Sequence, residues 1–417
     1  MTDSDQPHGA GGPPLRPWHA FQNPDYRLLW GAGFAGSIVV WIRILATAQW
    51  LLDVTGSAML VGFIGVVQLV VQIPALLWGG TLADRLDRKR VMAMANAVTL
   101  SVMLALGVLD LTGHLTAPLV YLGIALTAAS QMFASPARSA LVPAVVPERQ
   151  LMLAVSTDTA SQNVAAIVGP LLFAAVALLA GLHTAFLVAA ALSVPAVLLP
   201  LLIRASGNAA ERHAGSALAQ TWDGFRYVSR HPILPGLFLL DTGITVASFY
   251  REILPVLAQG LFRGGAGATG LLGAANSAGA VAGSFLALLL SGYRAKGMLV
   301  LYATLAYALM LLGFGTVTTL WLGAVMIAGL GAADAVTVAV RQTTVMLTTP
   351  DAMRGRAFSL MILAAQTANN VGTIWVGLWA GIIGAANTMV LGSVISVVAT
   401  LAIWRWWRPI REYRSPL

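Results

Sequence analysis

Four polar residues recur at helical spacing inside an otherwise apolar stretch in the second half of the chain. They stand at offsets of 0, 4, 7 and 11 residues: Asp241, Thr245, Ser248 and Glu252. This spacing places the four side chains on one face of a helix. A carboxyl group in apolar surroundings is costly and is suited to binding and releasing a proton. Asp241 is therefore our first candidate for a proton carrier, and the other three are candidates for lining a cavity.

Further charged and amide side chains lie inside other apolar stretches. Asp334 and Arg341 are seven residues apart on one helical face. Asp334 is the second proton-carrier candidate, and Arg341 is expected to anchor the end of its helix. Arg43 is suited either to neutralising a carboxylate, to holding an anionic substrate, or to extending its guanidinium towards the membrane surface. Three amides are candidates for substrate contact or for helix packing: Gln131, Gln366 and Asn370.

The composition indicates what kind of element must position these residues. Of the 417 residues, 58% are hydrophobic and 10% are charged, with a mean hydropathy of +0.80. A soluble domain carries about a quarter charged residues, and a bilayer-spanning helix needs about 20 apolar residues. Because runs of that length recur along the chain, we predict an all-α integral membrane protein. The chain has no cysteine, which excludes disulfides and thiol chemistry.

Twelve transmembrane helices are predicted, in two six-helix bundles. They lie at about 27–51, 59–82, 90–110, 117–136, 154–180, 184–203, 233–257, 267–290, 298–316, 319–341, 356–381 and 386–405. The predicted domains are a disordered cytoplasmic tail, an N-terminal bundle, a cytoplasmic linker with an amphipathic helix on the membrane surface, a C-terminal bundle and a second cytoplasmic tail. Their ranges are 1–24, 25–203, 204–232, 233–407 and 408–417.

The basic residues indicate the orientation of these helices. If the N-terminus is inside, the links on that side hold nearly all of the arginines and lysines, whereas the other links hold Arg263 as their one clear cation. Cytoplasmic loops of membrane proteins are enriched in such cations. We therefore expect both termini to be cytoplasmic. The net charge of +8 is explained in the same way, without a nucleic-acid partner.

The link at 80–91 has the highest charge density, with four cations and two carboxylates within seven residues. A carboxylate there can bind the free N–H groups that open a helix of the other bundle. Alternatively, the cations only anchor the topology. The predicted gating loop consists of Gly80, Asp84, Arg85, Arg88 and Lys89.

The two halves of the chain are related by a repeat. Arg138 precedes Pro147 by nine residues, and Arg341 precedes Pro350 by the same number, at a constant offset of 203. Each copy lies where an even-numbered helix ends and an odd-numbered helix begins. Parallel six-helix repeats imply two bundles with a binding site between them.

The link at 80–91 resembles the Gly-x-x-x-Asp-Arg-x-Gly-Arg-Arg/Lys signature of the major facilitator superfamily. Other segments resemble the branch that contains enterobactin exporters and macrolide-efflux proteins: 50–58, 133–136, 141–143, 169–170 and 350–356. The resemblance implies a major facilitator fold with alternating access, in which Asp84 docks at the start of helix 11. Asp87 replaces a glycine of the signature, the corresponding link at 291–297 lacks the acid, and Gly169-Pro170 lacks the Gly-Gly of the antiporter motif.

Nothing in the sequence indicates an enzyme, a cofactor or a metal site, and no phosphate-binding loop for ATP is present. We therefore expect a monomeric secondary transporter of the bacterial inner membrane. Its expected partners are the lipid bilayer, a small-molecule substrate and protons as the coupling ion. The expected activity is proton-coupled efflux of a small amphiphilic molecule, such as a drug or siderophore, through a mostly apolar cavity. A uniporter or importer, and a non-transporting sensor or assembly subunit, are the alternatives.

Overall fold

The computed structural model describes residues 17–83, 87–205 and 217–415. Within these ranges the chain is helical, with a short 3-10 helix at Pro17–Gln22 and another at Glu148–Gln150. The α-helices are α1 Pro24–Thr55, α2 Ala58–Ala83, α3 Arg88–Leu111, α4 Ala117–Val145, α5 Leu151–Ala180, α6 Leu182–Leu201, α7 Ala217–Arg230, α8 Leu234–Ser248, α9 Leu254–Phe262, α10 Ala266–Leu289, α11 Lys296–Thr316, α12 Leu320–Thr348, α13 Asp351–Ile383, α14 Ala385–Trp406 and α15 Arg408–Glu412.

Nine helices of the described ranges are long and apolar enough to cross a membrane: α1, α3, α4, α5, α6, α10, α11, α12 and α14. Two more helices contain shorter apolar stretches, Ala58–Gln72 in α2 and Leu234–Ser248 in α8. The prediction of an all-α membrane protein is therefore confirmed. Helices α1 to α6 pack on one another as one half, and α8 to α14 pack as the other.

The predicted span at 233–257 is not one continuous helix. Helix α8 ends at Ser248, and α9 begins at Leu254 with Pro255 in its first turn. A proline lacks the N–H that would continue the hydrogen bonds of a preceding helix, and it disfavours helical backbone in the residue before it. The predicted single-face stripe is therefore wrong at its end, because Glu252 lies in the break and not on the face that carries Asp241.

The first and last described residues, 17 and 415, lie at the same face of the bundle, because the start of α2 contacts the end of α13 at Gly62 and Gly377. Tyr26 near the start of α1 donates its hydroxyl to the carbonyl of Ala154 near the start of α5, at 2.9 Å. Trp407, after α14, donates its indole N–H to the carbonyl of Pro232, before α8, also at 2.9 Å. We call this the terminal face, where α1, α5 and α8 begin and α6, α12 and α14 end. The other end of the bundle is the opposite face.

The two halves meet closely near the opposite face. A Cβ at Gly62 of α2 would lie 2.7 Å from the Cα of Gly377 in α13. A second contact joins α5 to α10, where Gly270 packs on the carbonyl of Pro170 and on Ala174. In membranes, small residues of this kind allow helix backbones to approach closely. The contact positions leave no space for larger side chains, so the halves are sealed at this level.

The predicted N-terminal tail ends earlier than residue 24. Residues 17–22 form a 3-10 helix in which Ala20 is fully buried. Phe21 packs edge-on against Tyr26 and Trp30, with ring centroids 5.3 and 5.2 Å apart. Because these aromatic rings bury apolar surface at the start of α1, residues 17–24 belong to the folded N-terminal half.

The predicted tail at 408–417 is also packed over its described part. Ile410 of α15 is fully buried under the C-terminal half, and its carbonyl lies where any side chain at Gly297 would stand. The backbone N–H of Ser415 donates to the carbonyl of Arg294 at 2.9 Å. The apolar residues at 407, 410 and 413 have the spacing of one helical face, which explains why this segment docks.

We expect Gly377→Ala to loosen the seal between the halves, because the added Cβ collides with the backbone of Gly62. Overpacking costs about 1–3 kcal/mol, so opening should increase about tenfold. The chain has no cysteine, so the Thr373→Cys variant carries one thiol, at a site that is 0% exposed at the contact. Its rate of modification by a soluble maleimide measures opening.

Gly381→Ala is the matched control on the same helix, because a Cβ there would meet Met59 at an ordinary distance of 3.6 Å. Equal modification rates in the two alanine variants would show that the close glycine contact does not hold the halves together.

Candidate functional site

The N-terminal half contains a cavity of about 630 Å³ that reaches the terminal face between α1, α3, α4 and α5. Arg138 of α4 and Asp158 of α5 form an ion pair on its wall. Gln162 donates to the same carboxylate at 2.9 Å, and Gly33 of α1 leaves the space that the guanidinium occupies. The predicted cavity residue Gln131 lies in this wall. The cavity therefore presents a neutralised charge pair and several hydrogen-bonding groups.

The C-terminal half contains a second cavity, of about 300 Å³. Arg341 of α12 forms an ion pair with Asp241 of α8 on its wall. Most of the residues around it are polar, including four predicted in advance: Asp241, Thr245, Asp334 and Gln366. Ionisable and amide side chains from α8, α12 and α13 therefore converge at this cavity.

The two arginines occupy equivalent places in the repeat. Arg138 and Arg341 are 203 positions apart, near the same level of α4 and α12. The acids that pair with the two arginines, however, lie on helices that are not equivalent in the repeat. Asp158 belongs to α5, and the position 203 residues later holds Met361, so the second arginine pairs with α8 instead. Arg341 is therefore not the simple helix anchor that we expected, since it is only 6% exposed and is held by a cavity acid.

Asp334 differs from Asp241 in its surroundings. It lines the same cavity and is exposed to it. Among the described residues, no cation lies within ion-pair distance of its carboxylate. Tyr250 and Tyr307 line the cavity with it. Asp334 therefore carries the unpaired negative charge of this cavity, whereas the charge on Asp241 is neutralised by Arg341.

Arg251 joins the two cavities. It lines the C-terminal cavity, and its guanidinium lies 5.3 Å from the ring centroid of Trp41, which lines the N-terminal cavity. A cation over an indole face is attracted by the ring quadrupole. Trp41 is itself held close to α5, because Gly169 packs on its Cβ. The two cavities thus meet at a contact between the halves.

A layer of polar contacts joins the halves beside this point. Gln68 of α2 donates to both carboxylate oxygens of Glu252 at 3.0 Å, and Asn370 of α13 donates to Gln72 of α2 at 2.8 Å. Arg43 of α1 is 7% exposed, hydrogen-bonds to Thr127 at 3.4 Å, and lies near enough to Glu252 to attract its charge. Charged and amide groups therefore bridge the two halves in this layer.

Four predicted cavity residues lie outside the walls of these two cavities: Arg43, Ser248, Glu252 and Asn370. Glu252 and Asn370 belong to the layer between the halves, because the helix break and the register of α13 turn them towards α2. Ser248 is fully buried and hydrogen-bonds to the carbonyl of Ile244 at 2.6 Å and to the Tyr307 hydroxyl at 3.0 Å. Its hydroxyl is therefore occupied within the C-terminal half.

Part of the predicted gating loop lies outside the described residues, namely Asp84 and Arg85. Gly80 belongs to α2, which ends at Ala83. Arg88 donates to the carbonyl of Ala140 at 3.2 Å, and Lys89 donates to the carbonyl of Ile203 at 3.0 Å. Both cations therefore bind helix ends of their own half in this structure, and the gating role of the loop stays a prediction.

Sequence reasoning did not predict which acid pairs with each arginine. It also did not predict the aromatic residues that line the C-terminal cavity. Arg138 was identified only through the repeat, and Tyr250, Tyr307 and Asn276 were not predicted at all. The 203-residue repeat was the available signal for both arginines. It singled out two cations at equivalent positions within apolar helices, and each of them needs an acid nearby.

We expect Asp241→Asn to destabilise the protein, because it leaves the buried guanidinium of Arg341 without a counter-charge. Breaking a buried ion pair costs about 3–5 kcal/mol. The double variant Asp241→Asn/Arg341→Gln should therefore lose less than the sum of the two single variants. Thermal unfolding in detergent measures these changes as Tm.

The exposed pair Arg354–Asp351 provides the control, with side chains that are 43% and 88% exposed. Exposed pairs contribute about 0–1 kcal/mol, so Asp351→Asn should leave Tm nearly unchanged. Purely additive Tm changes at Asp241 and Arg341 would contradict a buried pair.

We expect Glu252→Gln to open the contact between the halves, because it removes a charged acceptor for Gln68 and a counter-charge for Arg43. Hydrogen bonds to charged groups are worth about 1.5–3 kcal/mol, so opening should increase roughly tenfold. The single thiol of Thr373→Cys reports this change. Glu252→Asp keeps the charge and should have a smaller effect; an equal effect would mean that only the side-chain length matters.

The chain matches a known family over nearly its whole length. The family model for transmembrane secretion effectors covers residues 15–414. The enterobactin exporter EntS of Citrobacter koseri is 27% identical over 391 residues, which cover 91% of this chain and 89% of that protein. The protein of the same name from Shigella boydii is 28% identical over 348 residues, with 82% and 79% covered.

Solved structures show the same fold at low identity. The nucleoside transporter NupG has a TM-score of 0.77 at 14% identity, covering 91% of this chain and 99% of that chain. A POT family transporter in complex with 5-aminolevulinic acid has a TM-score of 0.74 at 12% identity, covering 94% and 97%. The chain is therefore a multi-pass membrane transporter and not an enzyme, and it belongs to the transmembrane secretion effector family of the major facilitator superfamily.

Proposed function

We propose that this transporter is a proton-coupled exporter of the bacterial inner membrane that works by alternating access. The observation that carries the proposal is the placement of the charges that line the two cavities. The pairs Arg138–Asp158 and Arg341–Asp241, together with Asp334, line cavities on the terminal side of the sealed contact between the halves. Ionisable groups at membrane depth mark transport pathways and proton relays.

The proposed membrane arrangement has twelve spans and two cytoplasmic termini. Helices α8 and α9 together would form the seventh span, which is consistent with an even number of crossings between ends that lie at the same face. The terminal face carries most of the basic links, which supports its assignment to the cytoplasm. Cavities that open to this face and are closed at the opposite face correspond to a state that loads from the cytoplasm.

Asp334 is the proposed proton carrier of this cycle. Its carboxylate is exposed to the cavity and has no ion-pair partner in the described part of the chain. Protonation would neutralise the carboxylate of Asp334, which lowers the cost of enclosing that side chain in the membrane. Asp241, our first sequence-based candidate, would instead exchange its pairing with Arg341 when that cavity changes shape.

The proposed substrate is a small amphiphilic molecule of the siderophore class. Curated relatives that cover most of this chain are exporters of enterobactin. The two cavities offer guanidinium, amide and tyrosine side chains, which suit a ligand with several hydroxyl or acidic groups. Arg251 and Trp41 stand between the cavities, where an aromatic part of the ligand would find a flat ring and a cation.

The proposal predicts that purified protein in liposomes transports enterobactin against its gradient only when a pH gradient is imposed. Asp334→Asn should reduce accumulation to the level without a pH gradient, because the amide cannot release a proton. Exchange of substrate down its own gradient should persist in this variant. Labelled enterobactin measured inside the liposomes provides the readout.

Asp351→Asn is the control acid, since Asp351 is exposed at the start of α13 and outside both cavities. Accumulation by the Asp334→Asn variant at the wild-type level would remove Asp334 from the coupling. Transport that ignores the pH gradient in the wild-type protein would favour a uniporter.

A further inference from the structure

Helix α7, between the two halves in sequence, is docked on the terminal face of the C-terminal half. Gly224 packs on α13, where a Cβ would lie 2.9 Å from the carbonyl oxygen of Arg356. Asp223 forms an ion pair with Arg356 at 3.1 Å. Tyr227 donates its hydroxyl to the carbonyl of Thr348 at 3.2 Å, and Val228 is buried. These contacts fix the position of the helix.

The docked helix forms one wall of a basic cleft of about 520 Å³. Arg226 and Arg230 of α7 line it together with Arg356 of α13, and among the described residues of its lining Asp223 is the one carboxylate. Three guanidinium groups therefore share one carboxylate, and that carboxylate already pairs with Arg356. Among the described residues, neither Arg226 nor Arg230 has an ion-pair partner.

The positive charge of the cleft comes from the arginines and not from His231. The Nδ1 atom of His231 accepts the backbone N–H groups of Ile233 and Leu234, at 3.2 and 3.3 Å. Burial lowers the pKa of His231 below its usual value, although a hydrogen bond with the backbone of Thr348 opposes this shift. His231 is therefore neutral near pH 7 and serves to cap α8.

Such a cluster is suited to a phosphate group. Arg226 and Arg230 are four residues apart on one helix, so their like charges are neighbours that repel each other. A bound anion removes this repulsion. Planar guanidinium groups donate pairs of parallel hydrogen bonds that match the oxygen atoms of a phosphate.

The position of the cleft indicates that the phosphate belongs to a lipid. Helix α7 ends at Arg230, and the apolar helix α8 begins only four residues later, at Leu234. Trp222 and Phe225 of α7 are 67% and 51% exposed and stack on each other with ring centroids 5.5 Å apart. Exposed aromatic residues beside arginines are typical of a helix that lies at the level of lipid headgroups.

We propose that the cleft between α7 and the start of α13 binds the phosphate group of an anionic phospholipid from the adjacent leaflet. Arg226 and Arg230 donate to the phosphate oxygens, while Trp222 and Phe225 rest among the upper parts of the acyl chains. The bound lipid then connects α7 to α13 through Arg356. The proposal is independent of the transported substrate and of proton coupling.

The test uses the purified full-length protein in detergent, titrated with phosphatidylglycerol or phosphatidylcholine and measured by native mass spectrometry. Wild-type protein should prefer phosphatidylglycerol. Each arginine near the surface of an anionic membrane contributes about 1 kcal/mol, so Arg226→Gln/Arg230→Gln should bind phosphatidylglycerol about 30-fold more weakly. Should this variant not fold, Arg230→Gln alone should show about a fivefold loss.

The matched control is Arg27→Gln/Arg149→Gln, which removes two exposed arginines from the same face of the N-terminal half and should bind phosphatidylglycerol as the wild type does. Equal losses in the two double variants would overturn a specific site, because any removal of positive charge would then suffice. Inorganic phosphate at matched ionic strength forms the second arm. If it displaces phosphatidylglycerol at comparable concentrations, the cleft is a site for a soluble anion and the lipid proposal fails.

Discussion

The close approach of glycine backbones near the opposite face is the constraint on which the rest of the transporter depends. Lipid tails are as apolar as leucine, so helices in a membrane associate through packing and hydrogen bonds and not through the hydrophobic effect. Gly62 against Gly377, and Gly270 against Pro170, allow the two halves to touch at that level. Both cavities lie on the terminal side of this seal, and Arg251 contacts Trp41 between them.

The two ion pairs show how halves that are related by a repeat can differ in their contacts. An arginine stands at the same repeat position in each half, but its acid lies on α5 in one and on α8 in the other. A charge removed from water needs a nearby counter-charge, so each arginine ties α4 or α12 to a different neighbour. A movement of α8 therefore affects the pairing in the C-terminal half, whereas the corresponding helix of the N-terminal half, α1, leaves space for the guanidinium at Gly33 and does not supply its acid.

Composition and periodicity predicted the helical membrane fold and the repeat, because the length of an apolar run and its spacing are local properties. The same reasoning placed Asp241, Thr245, Asp334, Gln131 and Gln366 at cavities, since a polar group on a buried helix must face a cavity or a partner.

Sequence reasoning could not pair Asp241 with Arg341, which are distant in sequence and meet only through helix packing. It also missed the break before Leu254, although Pro255 was visible, because the hydropathy of the segment is continuous. The docking of Ile410 depends on a hollow next to Gly297 that no local pattern reveals.

The packed segment around Ile410 has a consequence for how the protein is made. Ile410 is buried beneath the C-terminal half, and the backbone N–H of Gly297 donates to the carbonyl of Tyr413 at 3.5 Å. These residues are translated after α8 to α14, so the C-terminal half completes its packing only once this segment has also left the ribosome. The N-terminal half has all of its helices available much earlier, because domains generally fold in the order of synthesis. A fusion partner attached directly after this segment would therefore compete with the final folding step of one half only.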